Sequence, residues 1–168
     1  MFDAAAALGD VTGLVNNAGI VGPTGRLVDV DPAEFERVYA VNVLGTLLCC
    51  RGFAARLGRG AIVNVSSAAA TRGSAGEYVW YAGAKAAVET ITVGLSKELA
   101  PDIRVNCVAP GIIWTELHAD PQRPARLAPQ IPLGRAGEPD EIAGAVAWLL
   151  SDDASYATGT VLRVTGGL

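Results

Sequence analysis

Three side chains that can take part in acid-base chemistry lie close together in the segment 66–85, SSAAATRGSAGEYVWYAGAK. Tyr81 and Lys85 are four residues apart, so on a helix they lie one turn apart on the same face. An ammonium group beside a phenol favours the phenolate and lowers a tyrosine pKa that is ordinarily about 10. We therefore expect Tyr81 to have a lowered pKa and to serve as a general acid or base at neutral pH.

The third of these side chains is Ser67, which ends a predicted strand. In open parallel sheets, ligands bind at the carboxyl ends of the strands. The neighbouring Ser66 is expected to be an ordinary turn hydroxyl. The Tyr-x-x-x-Lys spacing alone arises often by chance on amphipathic helices, so it indicates a site only together with Ser67. Tyr78 is a rival phenol, but it does not lie four residues before a lysine.

Two asparagines and the single histidine are the other candidate polar groups. Asn17 ends a strand in VNNAG, where Gly19 allows close approach of a ligand, although such a sequence is more often only a turn. Asn42 interrupts an apolar helix face, where a polar side chain needs a partner or a function. A hydrogen bond that kinks the helix explains Asn42 equally well. His118 is expected to be a solvated loop residue.

The elements that position these residues follow an alternating pattern. Short β-branched runs alternate with longer segments of helical period, which predicts a parallel sheet with helices on both faces. The predicted strands are apolar on both faces, as buried parallel strands are, and they cover 12–17, 61–67, 103–110 and 160–166. No linker or repeat divides the chain, so we predict one α/β domain over 1–168 with three layers, α/β/α.

Three helices are predicted between and after these strands, at 31–57, at 81–99 and from Pro139 onwards. In the first helix, Asp31 can cap the start, Pro32 suits the first helical position, and Glu34 can complete a capping box. The segment 114–135 contains four prolines. It is too long and too broken for a plain connection, so we predict that it is a substrate-binding loop or lid.

The composition of the chain indicates which partners and which cellular location to expect. The chain has 168 residues, of which 51% are hydrophobic, enough for one domain that buries roughly 70% of its unfolded surface. A net charge of −4 without a run of Lys or Arg argues against a nucleic acid or an anionic membrane as partner. The three cysteines have no metal or disulfide spacing, which favours a reducing, cytoplasmic location. No leader pattern and no uninterrupted apolar run of ~18 residues is present.

Six short motifs follow one another along the chain: NNAG (16–19), NVLG (42–45), VNVSS ending at Ser67, YAGAK (81–85), RVNCVAPGIIWT (104–115) and the closing SYATGTVLRVTGG. Together they resemble the short-chain dehydrogenase/reductase family, from one end of the chain to the other. Six motifs in one order are far more specific than any single one. The resemblance implies the C-terminal part of a doubly wound, Rossmann-like parallel sheet.

The resemblance also implies a reaction and its residues. NAD or NADP would exchange a hydride with a small-molecule ketone or secondary alcohol, and no metal is implied. Tyr81 would transfer the proton at the substrate oxygen and Ser67 would hydrogen-bond that oxygen. Lys85 would hold the nicotinamide ribose and lower the tyrosine pKa, while Asn42 would support a proton-relaying water. The implied cofactor-binding residues are Asn17, Ala18, Gly19, Tyr81, Lys85, Pro110, Gly111, Ile113 and Thr115.

The chain departs from the family pattern in two ways. Gly83 stands where the family often has Ala, which costs the helix about 1 kcal/mol without removing a catalytic group. The glycine-rich turn that binds the cofactor pyrophosphate at a helix N-terminus does not occur in the chain. We therefore expect a fragment or a truncated protein whose 168 residues are inactive alone, and preference for NAD or NADP cannot be read from it.

Two interpretations follow, an oxidoreductase or a non-catalytic remnant that serves as an oligomerisation or binding module. In either case the resemblance implies a homodimer through 31–57 and 81–99, with Leu48, Phe53 and Val93 on the outer faces. A homotetramer would also use the last helix and the closing strand.

Overall fold

The structure is a computed structural model that describes residues 2–117 and 120–168, so His118 lies outside the described residues. Its four strands form one parallel sheet in which the spatial order equals the chain order. They are β1 (Gly13–Asn16), β2 (Gly60–Val65), β3 (Ile103–Pro110) and β4 (Val161–Val164). The predicted α/β class with a parallel, Rossmann-like sheet is confirmed.

Seven α-helices are described: α1 (Phe2–Ala6), α2 (Pro32–Tyr39), α3 (Gly45–Leu57), α4 (Ala69–Arg72), α5 (Val79–Glu98), α6 (Arg123–Leu127) and α7 (Pro139–Leu150). A π-helical turn, Ala40–Leu44, joins α2 to α3, and 3-10 turns cover Leu27–Asp29, Ala128–Gln130 and Asp152–Ala154. All three helices predicted from the sequence are present.

Helices cover both faces of the sheet because successive strand residues point to opposite sides. On β2, Ile62 packs in a cluster with Phe53 of α3. The next residue, Val63, packs on the other face in a cluster with Leu149 of α7. Since α5 contributes Leu95 to the first of these clusters, α3 and α5 form one outer layer and α7 forms the other.

The helical stretch from α2 to α3 begins as predicted but is not uniform. Asp31 accepts a hydrogen bond from the Ala33 N–H at 2.9 Å. Glu34 does not complete the expected capping box, because its carboxylate pairs with Arg37 at 2.8 Å. The π-helical turn then places Asn42 inside the fold, with 1% of its surface exposed. Such turns add about one residue to the helix and often occur at functional sites.

The same stretch, Pro32–Leu57, has the length and the mean hydropathy, 1.5, of a membrane-spanning helix. The sequence contains no uninterrupted apolar run of this length. The mean hydropathy can still be high, because it averages apolar residues with the polar residues between them. By length and composition alone the core helix of a globular domain passes the same test. Here one side of the stretch packs on the sheet through Cys50 and Phe53.

Of the three residues expected on the outer dimer face, Phe53 does not lie there, so that prediction is wrong for this residue. Phe53 is fully buried, and its ring meets the ring of Phe2 edge-on at 6.5 Å. Leu48 and Val93 are exposed by 53% and 37%, as expected. Leu48 and Phe53 are five residues apart, which is about 140° around a helix axis, so they point to different sides.

The strand β1 forms one edge of the sheet among the described residues. It pairs with β2 from Gly13↔Ala61 to Asn16↔Asn64, and its other side has no strand partner there. Val15 is 41% exposed. This edge therefore presents apolar side chains and free backbone groups that can pair with another strand.

The segment predicted as a loop, 114–135, contains local structure, including α6 and a 3-10 turn. A parallel bridge between Ile113 and Gly137 closes its base. The Trp114 N–H donates to the Gly137 carbonyl at 3.0 Å, and the Gly137 N–H donates to the Ile112 carbonyl at 2.9 Å. The segment thus leaves the sheet and returns at one point beside the carboxyl end of β3.

Candidate active site

Ser67 and Tyr81 meet at the carboxyl edge of the sheet. Ser67 follows β2, and α5 brings Tyr81 back across that strand end. Burial raises the pKa of Tyr81, and a hydrogen bond from Ser67 opposes this rise without cancelling it. The expected lowering of the Tyr81 pKa is therefore wrong in this structure, because the cost of burying a phenolate outweighs the stabilisation it receives.

Lys85 lies one turn further along α5 and is buried beside Tyr81. Its Nζ atom lies 5.7 Å from the centre of the Tyr81 ring and donates a hydrogen bond to the Val65 carbonyl at 2.8 Å. The spacing prediction that both residues share a helix face agrees with this contact. Burial lowers the pKa of Lys85 from 10.5 to about 8, so the ammonium form still predominates at pH 7.

Asn42 anchors the segment that follows β1. Its Nδ2 donates to the Ile20 carbonyl at 2.8 Å, and the Ile20 N–H donates to its Oδ1 at 2.9 Å. A Cβ atom on Gly19 would lie 2.9 Å from that Oδ1 and 3.3 Å from the Lys85 Nζ. Gly19, Asn42 and Lys85 therefore form one close cluster, and the Asn42 side chain is satisfied by hydrogen bonds as well as placed at the site.

The other residues that the resemblance assigns to cofactor binding lie along the same edge of the sheet. Asn17 and Ala18 are exposed directly after β1. Pro110 ends β3, and its carbonyl accepts from the Ala68 N–H at 2.8 Å. A Cβ atom on Gly111 would lie 2.7 Å from the Thr165 Cα, so only glycine fits there without a backbone shift. Ile113 forms the bridge described above, and Thr115 is exposed.

A cavity of about 300 Å³ opens beside Ser67, and its other lining residues include Arg72, Glu77, Tyr78, Ile112 and Arg123. A larger groove of about 440 Å³ lies near Asp31 and contains none of the predicted site residues. We assign the candidate substrate site to the smaller cavity, because Ser67 joins it directly to Tyr81. Part of the predicted substrate loop, including Arg123 on α6, forms its wall.

One hydrogen-bonded group in this wall, Arg123 with Glu77 and Tyr78, was not predicted from the sequence. Arg123 Nη1 and Nη2 donate to the two Glu77 carboxylate oxygens at 2.9 and 2.7 Å, and Nη2 also donates to the Tyr78 hydroxyl at 2.6 Å. The Tyr78 ring meets the Tyr81 ring edge-on at 5.6 Å. The rival phenol thus accepts a hydrogen bond from the loop while it packs against Tyr81. The available signal was an arginine within the proline-broken segment 114–135.

Ser66 also differs from its expected role as a turn hydroxyl. It is only 3% exposed, and its Oγ lies 3.1 Å from the Lys85 carbonyl and 3.0 Å from a Glu89 carboxylate oxygen. The end of β2 is thereby tied to the turn of α5 that carries Lys85. Two consecutive serines at a strand end were the only sequence signal for this contact.

The buried cysteines are not poised for thiolate chemistry. Burial raises the pKa of Cys50 to about 11 and that of Cys107 to about 12, so both thiols stay protonated at neutral pH. In the parts of the chain that the structure describes, no group of His, Cys, Asp and Glu is arranged to hold a metal ion.

Comparisons with known proteins show the family of this chain. A family model described as enoyl-(acyl carrier protein) reductase matches residues 1–168. The uncharacterized oxidoreductase YgfF of Escherichia coli K12 is 48% identical over 92% of this chain, which corresponds to 66% of that protein. The chain thus spans slightly less than two thirds of the length of this relative.

Two solved structures share the fold. A short chain dehydrogenase/reductase family protein is 39% identical with a TM-score of 0.83, and it matches 99% of this chain and 70% of its own. A blue fluorescent protein from a metagenomic library, solved in complex with NADPH, is 36% identical with a TM-score of 0.90, and it matches 99% of this chain and 68% of its own. With its six motifs and the fold that joins them, the chain belongs to the short-chain dehydrogenase/reductase family.

Proposed function

We propose that this chain carries the catalytic part of an NAD(P)-dependent oxidoreductase that interconverts a small-molecule ketone and a secondary alcohol. The observation that carries the proposal is the position of Tyr81 at the strand end that Ser67 follows, with Lys85 Nζ 5.7 Å from the Tyr81 ring centre. Two hydroxyls beside a buried cation can hold one substrate oxygen and exchange a proton with it. The oxidoreductase name of YgfF and the NADPH complex of the structural relative support a nicotinamide-dependent oxidoreductase.

The residues along the sheet edge fit a nicotinamide nucleotide. The bare backbone at Gly19 leaves space where a Cβ atom would crowd Asn42 and Lys85. Lys85 uses one N–H on the Val65 carbonyl, and an ammonium group has two more for ribose hydroxyls. Asn17, Ala18 and Gly19 would line the adenosine side, and Pro110, Gly111, Ile113 and Thr115 the nicotinamide side. When bound, the cofactor supplies or accepts the hydride.

The protein itself handles the proton. Because burial raises the pKa of Tyr81, its phenol is protonated at pH 7 and can donate to the oxygen of a ketone as it is reduced. Ser67 donates a hydrogen bond to the same oxygen and orients it. Lys85 would restore the proton through a water supported by Asn42, which is the relay that the family resemblance implies. Asn42 acts as a positioning residue, since its amide holds the Gly19–Ile20 segment in place.

Removing the Tyr81 hydroxyl tests this proposal. Turnover is measured on a protein in which a glycine-rich cofactor segment is expressed ahead of Met1, and this is the unchanged protein of all the activity measurements below. In it, Tyr81→Phe is expected to abolish nearly all turnover in a screen of ketones with NADH and NADPH, while cofactor Kd measured by fluorescence stays close to that of the unchanged protein. Tyr156→Phe is the matched control, because it removes the hydroxyl of a fully exposed tyrosine that does not line the cavity. If Tyr81→Phe keeps most of kcat, the proton-transfer role of Tyr81 is refuted.

The alternative candidate is a non-catalytic remnant that acts as an oligomerisation or binding module. The observation that favours it is the edge strand β1, whose outer side has no strand partner among the described residues and offers a pairing surface. The two candidates differ in one measurement. A remnant would show no turnover with any ketone or alcohol even when an in-frame glycine-rich coding segment upstream of Met1 is expressed with it.

We further propose that the protein forms a homodimer, or a tetramer, in the cytoplasm. Apolar side chains are exposed on two helical stretches. They are Leu44 and Leu48 on the stretch from the π-helical turn into α3, and Val93 on α5. A paired helix face would cover this surface. The buried, protonated Cys50 and Cys107 suit a reducing location. Sedimentation at micromolar concentration tests the assembly, and a monomer there would contradict it.

A further inference from the structure

The cavity beside Ser67 has an excess of positive side-chain charge. Arg72 and Arg123 line it, and Glu77 is the one acidic side chain among its lining residues. Both carboxylate oxygens of Glu77 are engaged by Arg123. The Arg123 guanidinium holds the pKa of Glu77 below its usual range. Glu77 and Arg123 therefore neutralise each other, and the charge of Arg72 is left over.

Arg72 has no ion-pair partner within the described ranges. It is exposed at the last position of α4, and Ser67 lies just before the start of that helix. A helix of four residues is about 6 Å long. The two residues therefore stand at the two ends of a short helix, with the apolar Ala68 and Ala69 between them, and all four line the cavity.

A second donor in the cavity wall also lacks a partner. The Nε atom of Arg123 is buried and makes no hydrogen bond with the described residues. Its two Nη atoms are already held by Glu77 and Tyr78, so the guanidinium is fixed in orientation. The Arg123 side chain is therefore a fixed, charge-paired part of the cavity wall, and Arg72 is the arginine that remains available to a ligand.

We propose that the substrate carries an anionic group, a carboxylate or a sulfonate, which binds to Arg72. The reacting oxygen then lies at Ser67, and a small apolar body between the two ends contacts the alanines of α4 and Ile112. A cavity of about 300 Å³ is at the small end of ligand pockets, which suits a small aromatic or alicyclic keto acid. This proposal rests on the proposed function of the same site.

The test compares two ketones of the same shape, 4-acetylbenzoate and its neutral amide, 4-acetylbenzamide. We expect kcat/KM of the unchanged protein to be about tenfold higher for the acid, the size of one charge-assisted hydrogen bond. In Arg72→Gln the ratio of acid to amide should fall towards one. Arg59→Gln is the matched control, because Arg59 is exposed at the opposite end of β2, and its ratio should equal that of the unchanged protein.

A binding measurement separates this proposal from the proposed reaction. Calorimetric titration with 4-acetylbenzoate should show tighter binding than with the amide, and Arg72→Gln should remove the difference, whether or not turnover occurs. That result without turnover of either ketone would support the anion site and count against the oxidoreductase. Equal kcat/KM for acid and amide, or an equal loss in Arg59→Gln, would overturn the anion site and leave the oxidoreductase standing.

Discussion

Replacing Lys85 by methionine should make the protein more stable at neutral pH, although the proposed reaction depends on Lys85. Burial lowers the pKa of this lysine from 10.5 to about 8. Because one pKa unit corresponds to about 1.4 kcal/mol, the buried ammonium costs about 3 kcal/mol of folding free energy. Lys85→Met removes that cost and loses the hydrogen bond to the Val65 carbonyl, worth about 1 kcal/mol. The expected gain is about 2 kcal/mol.

The stability gained by Lys85→Met must decrease as the pH rises. Below pH 8 both the folded and the unfolded protein carry the Lys85 proton, so the full cost is present. Between pH 8 and 10.5 the folded protein has lost that proton while the unfolded chain keeps it, so the stability of the unchanged protein rises relative to Lys85→Met. Above pH 10.5 the advantage of methionine should have vanished. The raised pKa of Cys50 acts in both proteins and cancels in the difference. Cys107, which interacts electrostatically with Lys85, has a pKa of about 12 and stays protonated from pH 7 to 10.

Urea unfolding followed by tryptophan fluorescence measures this difference at a series of pH values from 7 to 10. Lys97→Met is the matched control, because Lys97 is exposed on the same helix, and it should change the free energy of unfolding by less than about 0.5 kcal/mol. A Lys85→Met protein that is less stable at pH 7, or a gain that does not change with pH, would refute the reasoning.

Two further predictions concern β1 and the segment that follows it. Gly19→Ala should lower the free energy of unfolding by about 2 kcal/mol, because its Cβ atom would push the Asn42 side-chain amide out of its two hydrogen bonds with Ile20. Gly94→Ala on α5, with open space around it, should instead be neutral or stabilising in the same urea titration. The 168-residue chain should bind NADH and NADPH weakly and associate through β1, and Val15→Lys should reduce that association in sedimentation. Micromolar cofactor binding by a monodisperse chain would contradict this last expectation.

Features that depend on local sequence were predictable. The four strands could be predicted because their β-branched runs are apolar on both faces, and the contact of Tyr81 with Lys85 follows from the helical period alone. The start of α2 could be predicted from Asp31 and Pro32. These features depend on neighbours within a few residues, where the sequence pattern and the structure carry the same information.

Features that join distant segments were not predictable in this way. The sequence predicts an ordinary turn hydroxyl at Ser66, because no residue near it in the sequence shows that Glu89 will face it. Arg123 lies 46 residues from Glu77, and only the return of the loop over the strand ends brings them together. The pKa of Tyr81 was expected to fall, since spacing locates Lys85 but does not show how deeply the phenol is buried.

The matching order of strands in the chain and in the sheet has a consequence for folding. Each strand docks beside the one made just before it, so no pairing has to wait for a segment synthesised much later. The central pair, β2 with β3, shares six partner positions, against four for each outer pair, and it has helices on both faces. We expect this pair to form the nucleus, with β4 added as it leaves the ribosome. In repeat proteins, folding begins at one unit and spreads to the units beside it. The same addition of neighbouring strands would let this four-stranded part of the sheet fold as one cooperative unit.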